Sequence, residues 1–396
     1  MTHQQRPSPY PDRSGVVGQA GFAGRSAFVD LAHRSHRVIV EHQHPSGAYP
    51  ASPTFSAYQG FAWFRDGSFT AEGISRYGDV ASADRFHDWV NGVLTSRQAQ
   101  IEALVAAAAA GQEVPVERML PTRFTLSGGE GSVEWWDFQT DGYGMWLWAV
   151  TTHARRHGLN LERWRAGMEL CVDYVAAFWD RPCYDWWEEH LEQRHVSTLG
   201  ALYGGLTAVV ASGALDDVRT ARASQIAAEI RKLTLDEGVR GGHLTKWLGT
   251  DAVDASLAAC VVPFGLVDVD DPIAAATLDA IAADLDVDGG VHRFSADVFY
   301  GGGQWLLLSA LQGWNRAVAG DHAAARRYLT WIAERATDRG ELPEQVPDHL
   351  LAPEHRAEWI ERWGPVATPL LWSHGMYLIL ADELGLLDTA HHGGVR

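Results

Sequence analysis

Two stretches far apart in the chain place carboxyl groups where they could cleave a bond. In CYDWWEEHLEQRH (183–195), Glu188 and Glu189 directly follow the paired indoles Trp186 and Trp187. In RGELPEQVPD (339–348), Glu344 follows Pro343 in a short loop. Acid–base hydrolysis of a glycosidic bond takes two carboxyl groups, one on each side of the scissile bond. It also takes aromatic walls, because the CH faces of a sugar ring are apolar while its rim carries hydroxyls. Adjacent acids on a solvated helix face carry no chemistry, but here the pair lies between Trp187 and His190 in a loop that runs into a helix. A carboxyl packed against indole rings has its pKa raised by desolvation, as a general acid requires. Glu341 and Glu344 flank Leu342 and Pro343, and by itself Glu344 reads sooner as part of a surface turn than as a catalytic group.

Three further stretches bear on the same chemistry. FAWFRDGSF (61–69) sets Arg65 beside Asp66 at a helix start. Asp66 there can cap the first turn, and the pair can also clamp sugar hydroxyls, with a guanidinium holding a carboxylate that accepts from two of them. The two roles are compatible. EWWDFQTDGYGMWLW (134–148) holds Trp135, Trp136, Asp137 and Asp141, with Trp146 and Trp148 further on. Trp146 and Trp148 fit helix packing, whereas Trp135 falls in the loop and suits a platform for a sugar ring. His42 and His44 have no Cys or carboxylate cluster beside them, so they read as surface or hydrogen-bonded histidines rather than metal ligands.

The elements that must position these groups are helices. In 321–340, Ala325, Leu329, Ile332 and Ala336 recur at steps of four, three and four, with Asp321 placed to cap the start and Gly340 suited to a left-handed stop. Leu199, Leu202, Leu206 and Val210 are in phase in the same way. About twelve such segments are expected, near 17–42, 66–77, 82–109, 140–157, 160–179, 196–211, 214–234, 252–267, 272–285, 302–318, 321–337 and 366–385. Strand-like alternation is scarce, no fixed-period repeat supports a solenoid, and no Gly/Ser-rich or charged linker divides the helices. The expectation is an all-α fold, an (α/α)6 barrel over 16–387, with 1–15 and 388–396 as flexible ends. The long loops 44–65, 111–139, 180–195, 235–250, 286–301 and 338–365 would gather at one rim and form the site.

Composition narrows the function. The chain has 396 residues, 46% hydrophobic and 21% charged, which is globular. Its formal charge is 32 − 50 = −18, which argues against nucleic acid or an anionic membrane surface as partner. Cys171, Cys183 and Cys260 form no CxxC pair and are odd in number, against a disulfide framework or a structural zinc site. The N-terminus has no apolar segment of a signal peptide and no run long enough to span a membrane, so a cytoplasmic enzyme is expected.

Taken together the motifs resemble the glucoamylase family, glycoside hydrolase family 15, in family order over nearly the whole chain. SGAYPASPTFSAYQGFAWFRDGSF (46–69) resembles its first motif with the W-x-R-D element, here beginning at Trp63. QTDGYG (139–144), CYDWWEE (183–189), VHRF (291–294), ELPEQ (341–345) and LLWSHGMYL (370–378) resemble the second motif, the acid motif, the arginine loop, the base motif and the closing segment. The resemblance implies an inverting, exo-acting α-glucoside hydrolase with an (α/α)6 barrel that needs neither metal nor organic cofactor. It implies Glu188 as general acid and Glu344 as the base that activates water, with the two carboxyl groups roughly 6.5–9.5 Å apart. Arg65, Asp66 and Arg293 would hold the non-reducing glucose, Trp63, Trp135, Trp187 and Trp372 would line its subsite, and Glu189 would face the next sugar. Tyr58 lies one position from where the family's water-holding tyrosine is expected, and Trp186 stands where a smaller apolar residue is usual. No β-sandwich precedes the barrel and no starch-binding module is evident. These departures point to a disaccharide or short oligosaccharide, isomaltose and short α-1,6-gluco-oligosaccharides first, with α-1,4 oligosaccharides and trehalose as rivals. A sugar-binding protein that kept the fold without catalysis is the non-enzyme alternative.

Overall fold

The computed structural model describes residues 24–131, 135 and 138–387. The ends at 1–15 and 388–396, and Trp136 and Asp137, lie outside these described residues. Among the described residues are thirteen α-helices. They are α1 (Arg25–His42), α2 (Phe64–Tyr77), α3 (Val80–Thr95), α4 (Gln98–Ala109), α5 (Asp141–His157), α6 (Arg165–Phe178) and α7 (Val196–Ser212). They continue with α8 (Asp217–Glu237), α9 (Pro272–Leu285), α10 (Leu306–Val318), α11 (His322–Ala333), α12 (Arg356–Trp363) and α13 (Leu371–Glu383).

Burial sorts these helices into two rings. Every residue of α2 from Phe64 to Ser75, and every residue of α13 from Leu371 to Ala381, is buried. In α8 only Ala223, Ile226, Ala227, Ile230 and Thr234 are, a single stripe at helical spacing. A helix buried all round belongs inside, and one with a single apolar stripe belongs outside. The contacts agree: α2, α5, α7, the short 3-10 segment Ala255–Cys260, α10 and α13 pack each on the next, and α13 closes on α2. Outside them α1 covers α13, α3 covers α2, α6 covers α5, α8 covers α7, α9 covers the 3-10 segment and α11 covers α10. This is the (α/α)6 barrel, six inner positions ringed by six outer ones, with α4 packed on α6. Glycine permits the close inner contacts: a Cβ at Gly73 would stand 2.4 Å from the Gly375 carbonyl oxygen, and one at Gly205 only 2.2 Å from that of Gly144.

Several expected helices differ in detail. The 82–109 segment is two helices, broken at Ser96 and Arg97. The 252–267 segment is a 3-10 turn rather than an α-helix, because Pro263 and Gly265 stop the apolar run within two turns. Asp321 does cap α11, accepting from the Ala324 amide at 2.9 Å. The helix nonetheless ends at Ala333, and Gly340, at φ 70°, serves the Thr337–Glu341 turn instead. The helix expected from 302 starts at Leu306, since Gln304 and Trp305 are taken by a strand. Helix α12 falls in a stretch expected to be loop. Trp146 and Trp148 pack inside the barrel as expected.

The strands are two or three residues long, too short to show a period of two. β1 (Phe61–Trp63) pairs antiparallel with β2 (Arg123–Thr125), and β3 (Val239–Arg240) with β4 (His243–Leu244). β5 (Asp286–Val287), β6 (Gly290–Val291), β7 (Gln304–Trp305) and β8 (Gln345–Val346) form one antiparallel sheet in that order. That sheet brings the 291–294 and 341–345 motifs to the same end of the barrel.

Candidate active site

The motif loops converge on one cavity of about 340 Å³. It is lined by Tyr58, Trp63, Arg65, Asp66, Trp135, Trp187, Glu188, Glu189, Arg293, Glu344 and Trp372. The eleven residues expected to act on or hold the sugar therefore meet in one place, from six separate stretches of chain.

Glu188 sits in a tight turn. Its amide donates to the Asp185 carbonyl at 3.0 Å, while the Trp187 and Glu189 amides both donate to Asp185 Oδ1 at 2.9 Å. The turn puts Glu188 at φ 65°, a conformation that costs a non-glycine residue on the order of 1 kcal/mol or more. Glu188 Oε1 accepts from Trp63 Nε1 at 2.8 Å and lies 3.7 Å from Arg65 Nη2. Burial raises its pKa, against the opposing pull of Arg65 and the Trp135 and Trp63 indoles. Trp63 is held in place as the last residue of β1, opposite Arg123.

Glu344 enters from the other side. It immediately precedes β8, its amide donates to the Ala367 carbonyl at 2.9 Å, and its side chain is buried. Tyr58 donates its hydroxyl to Glu344 Oε1 at 3.0 Å, while Oε2 is buried without a hydrogen-bond partner. Burial pushes the Glu344 carboxyl up to about 8. The two carboxyl groups thus hang on different aromatic donors, and those donors, Tyr58 and Trp63, touch edge to face at 5.5 Å.

Arg65 and Asp66 line the cavity as the second and third residues of α2. The helix has no side-chain cap, so Asp66 does not act as one. Arg65 is ion-paired to Asp141 at 3.2 Å and Asp66 at 3.5 Å, and is also hydrogen-bonded to Gln139. Asp66 Oδ2 is buried without a hydrogen-bond partner, and burial pushes its pKa up to about 7. Arg293 bonds Asp297 through Nε at 2.8 Å and Glu189 through Nη2 at 3.2 Å, with its guanidinium over Trp187 at 5.3 Å and Trp305 at 5.2 Å. Trp372 stacks on Phe69 at 5.6 Å under Arg65. Trp186 does not block the space: it lines the cavity but packs its ring on Phe69, Phe264 and Trp372.

The sequence reading left out part of the wall. Trp359 and Trp363 of α12 also line the cavity, with Trp363 stacked on Trp135 at 6.0 Å. Their four-residue spacing in RAEWIERW was the available signal. Phe299 and Trp305 join them. Of the supporting acids, Asp141 and Asp185 lie within the QTDGYG and CYDWWEE motifs, whereas Asp297 is marked only by lying four residues after Arg293 and Asp254 carries no local signal. His42 bonds the Val38 carbonyl and His44 bonds Ser46. Among the described residues, no group of three or more His, Cys, Asp or Glu side chains is placed to hold a metal, and no helix is long and apolar enough to cross a membrane.

The chain is similar to known proteins over most of its length. The sequence is 69% identical over 362 residues to isomaltose glucohydrolase of Kribbella flavida, covering 91% of this chain and 94% of that one. Solved structures of a glycosidase, one of a substituted form in complex with glucose, superpose with a TM-score of 0.90 at 68% identity over 92% of this chain and 98% of theirs. Glucoamylase from Saccharomycopsis fibuligera shares the fold alone, with a TM-score of 0.69 at 15% identity over 93% of this chain and 97% of that one. The family match to Glycosyl hydrolases family 15 runs over residues 30–343, from inside α1 to the residue before Glu344. With that match spanning most of the chain, the protein belongs to glycosyl hydrolases family 15 and is a glycoside hydrolase.

Proposed function

We propose that this protein hydrolyses isomaltose and short α-1,6-linked gluco-oligosaccharides from the non-reducing end, releasing β-glucose by inversion. The observation that carries the reading is the pair Glu188 and Glu344: two buried carboxyl groups, each held by its own aromatic donor, facing one cavity. Its likeness to an isomaltose glucohydrolase supports the choice of substrate.

In this reading Glu188 protonates the glycosidic oxygen as C1 separates from it. Glu344 takes a proton from a water that attacks C1 on the opposite face, and Tyr58 orients the carboxylate that does so. In the substrate-free protein burial, opposed by the Tyr58 hydrogen bond and Arg293, pushes Glu344 to about 8, so there it holds its proton at neutral pH, and a base must lose it once substrate is bound. The roles follow from the family resemblance of the two motifs, and the attacking water that enters with substrate, donating to Oε2, the oxygen without a protein partner, favours the ionised form. Arg65 and Asp66 clamp the hydroxyls of the glucose whose bond is cut, with Asp66 Oδ2 as acceptor. Trp63, Trp135, Trp187 and Trp372 cover its apolar faces. Glu189, exposed at 38% of its side chain and paired to Arg293, faces the second sugar. Two carboxyl groups and a water suffice for this hydrolysis. Cys171, Cys183 and Cys260 are free thiols, which suits catalysis in the reducing cytoplasm.

Proton NMR of the enzyme with isomaltose, maltose and trehalose in parallel tests this. Initial β-glucose, fastest from isomaltose, is expected. Initial α-glucose would overturn the roles of Glu188 and Glu344, and faster turnover of maltose or trehalose would overturn the substrate.

A further inference from the structure

The turn that carries Glu188 rests on a buried ion cluster outside the cavity lining. Lys246, Asp185 and Asp254 are each at most 3% exposed. Lys246 Nζ bonds Asp185 Oδ2 at 3.0 Å and Asp254 Oδ2 at 2.5 Å, and stands 3.8 Å over the ring of Phe294, next to Arg293. Each carboxylate has a second task. Asp185 Oδ1 accepts the Trp187 and Glu189 amides, one residue to either side of Glu188. Asp254 Oδ2 also accepts Trp187 Nε1 at 2.9 Å, and Asp254 Oδ1 accepts from the amide and hydroxyl of Ser256, in the first turn of the inner ring's 3-10 segment. The lysine therefore ties the acid-bearing turn to the barrel wall and to the arginine loop.

Burying one ammonium between two carboxylates carries a desolvation cost that apolar side chains of similar volume would avoid. Such a cluster is poor value as a stabiliser but fixes geometry in a way apolar packing does not. Geometry is what this turn needs. Glu188 is held at positive φ, which persists only where surrounding bonds over-determine the backbone. Without the Lys246 charge, Asp185 and Asp254 would be two unpaired anions sharing one pocket, and both would lose the partner that aims them at Trp187 and at the turn.

We infer that Lys246, with Asp254, is a positioning residue for the general acid: it locks the 185–189 turn so that Glu188 points at the glycosidic oxygen. The inference rests on the assignment of Glu188 as general acid, and it assigns no contact between Lys246 and substrate. Misplacement of a catalytic group by about 1 Å is enough to cost ~100-fold in rate.

The discriminating measurement compares two substrates in the full-length enzyme. Isomaltose has a poor leaving group and needs protonation by an acid. α-Glucosyl fluoride releases fluoride with little acid assistance, yet still needs the base, the water and the glucose subsite. Lys246→Met is expected to lower kcat on isomaltose roughly 10- to 100-fold while leaving kcat on glucosyl fluoride within about threefold. Equal loss on both substrates, or no loss on isomaltose, would overturn the inference, since general damage to the fold does not distinguish leaving groups. Asp254→Asn, which keeps an oxygen for the Trp187 N–H, is the milder second variant if Lys246→Met yields no folded protein. The same selective loss is expected, and a non-selective loss or none would count against the inference. Glu188→Gln run alongside separates the two layers: it should lose isomaltose turnover and keep glucosyl fluoride turnover. If it keeps both, the acid assignment itself fails; if it behaves as expected while Lys246→Met and Asp254→Asn show no selectivity, only the positioning role fails.

Discussion

Replacing the buried carboxyl of Glu344 with an amide should make the protein more stable, and increasingly so as pH rises. Glu344 is buried, its Oε2 has no hydrogen-bond partner, and its pKa is pushed from 4.5 to about 8. Between those values the folded chain holds a proton that the unfolded chain has released, so stability falls with rising pH over that window. At pH 5 the penalty is small because the unfolded side chain is still partly protonated. By pH 7 the unfolded side chain is fully ionised and the folded one is not. The added cost between the two is on the order of 2 kcal/mol, from ~1.4 kcal/mol per pH unit. Glu344→Gln keeps an oxygen for the Tyr58 hydroxyl and carries no titration. Groups that do not interact with Glu344 titrate alike in both proteins and cancel in the difference. With an unfolding entropy near 2.1 cal/mol/K per residue, the melting-temperature difference between variant and wild type should widen by roughly 2–3 °C from pH 5 to pH 7. Calorimetry at matched ionic strength reads it directly. A difference that stays constant with pH, or that narrows, would refute the claim that the folded site holds this carboxyl protonated.

Further outcomes follow from the same geometry. Trp63→Phe removes an N–H donor from Glu188 Oε1 and so should raise the acid's pKa further, moving the alkaline limb of the kcat/KM profile to higher pH. Tyr58→Phe should move the acidic limb to higher pH and lower kcat by about 10-fold or more, because Glu344 loses the hydrogen bond that favours its charged form. Gly73→Ala should destabilise the barrel by about 3 kcal/mol or more in chemical denaturation, since its methyl would meet the Gly375 backbone at 2.4 Å with no flexible neighbour to give way. Trp363→Ala removes the ring stacked on Trp135 and opens the α12 wall, so hydrolysis of isomaltotriose should improve relative to isomaltose in a direct comparison of kcat/KM.

What the sequence made legible, and what it hid, divides along physical lines. Helices such as α7 and α11 could be read because their apolar residues keep the helical period over three turns. The motif residues could be read because aromatic and charged side chains side by side in a loop are unusual unless something binds there. The 3-10 segment 255–260 was misread because an inner-ring position is buried all round, so its composition is apolar whatever its pitch, and only Pro263 marked where it must stop. Helix α12 was missed for the opposite reason. None of its residues is fully buried, so it has no core stripe, and its Trp359 and Trp363 line a cavity and pack on the 299–300 turn rather than on a long helix. Lys246 was invisible for a third reason: its partners Asp185 and Asp254 lie 61 and 8 residues away, and a single lysine in a polar loop looks solvated until the barrel closes over it. Local pattern and the family resemblance together therefore identified the charged groups that touch the cavity, while Lys246 and Asp254, which aim them, became visible only through contacts in the folded chain. The comparison of isomaltose with glucosyl fluoride tests that second set: a residue that aims the acid should matter in proportion to how much its leaving group needs a proton.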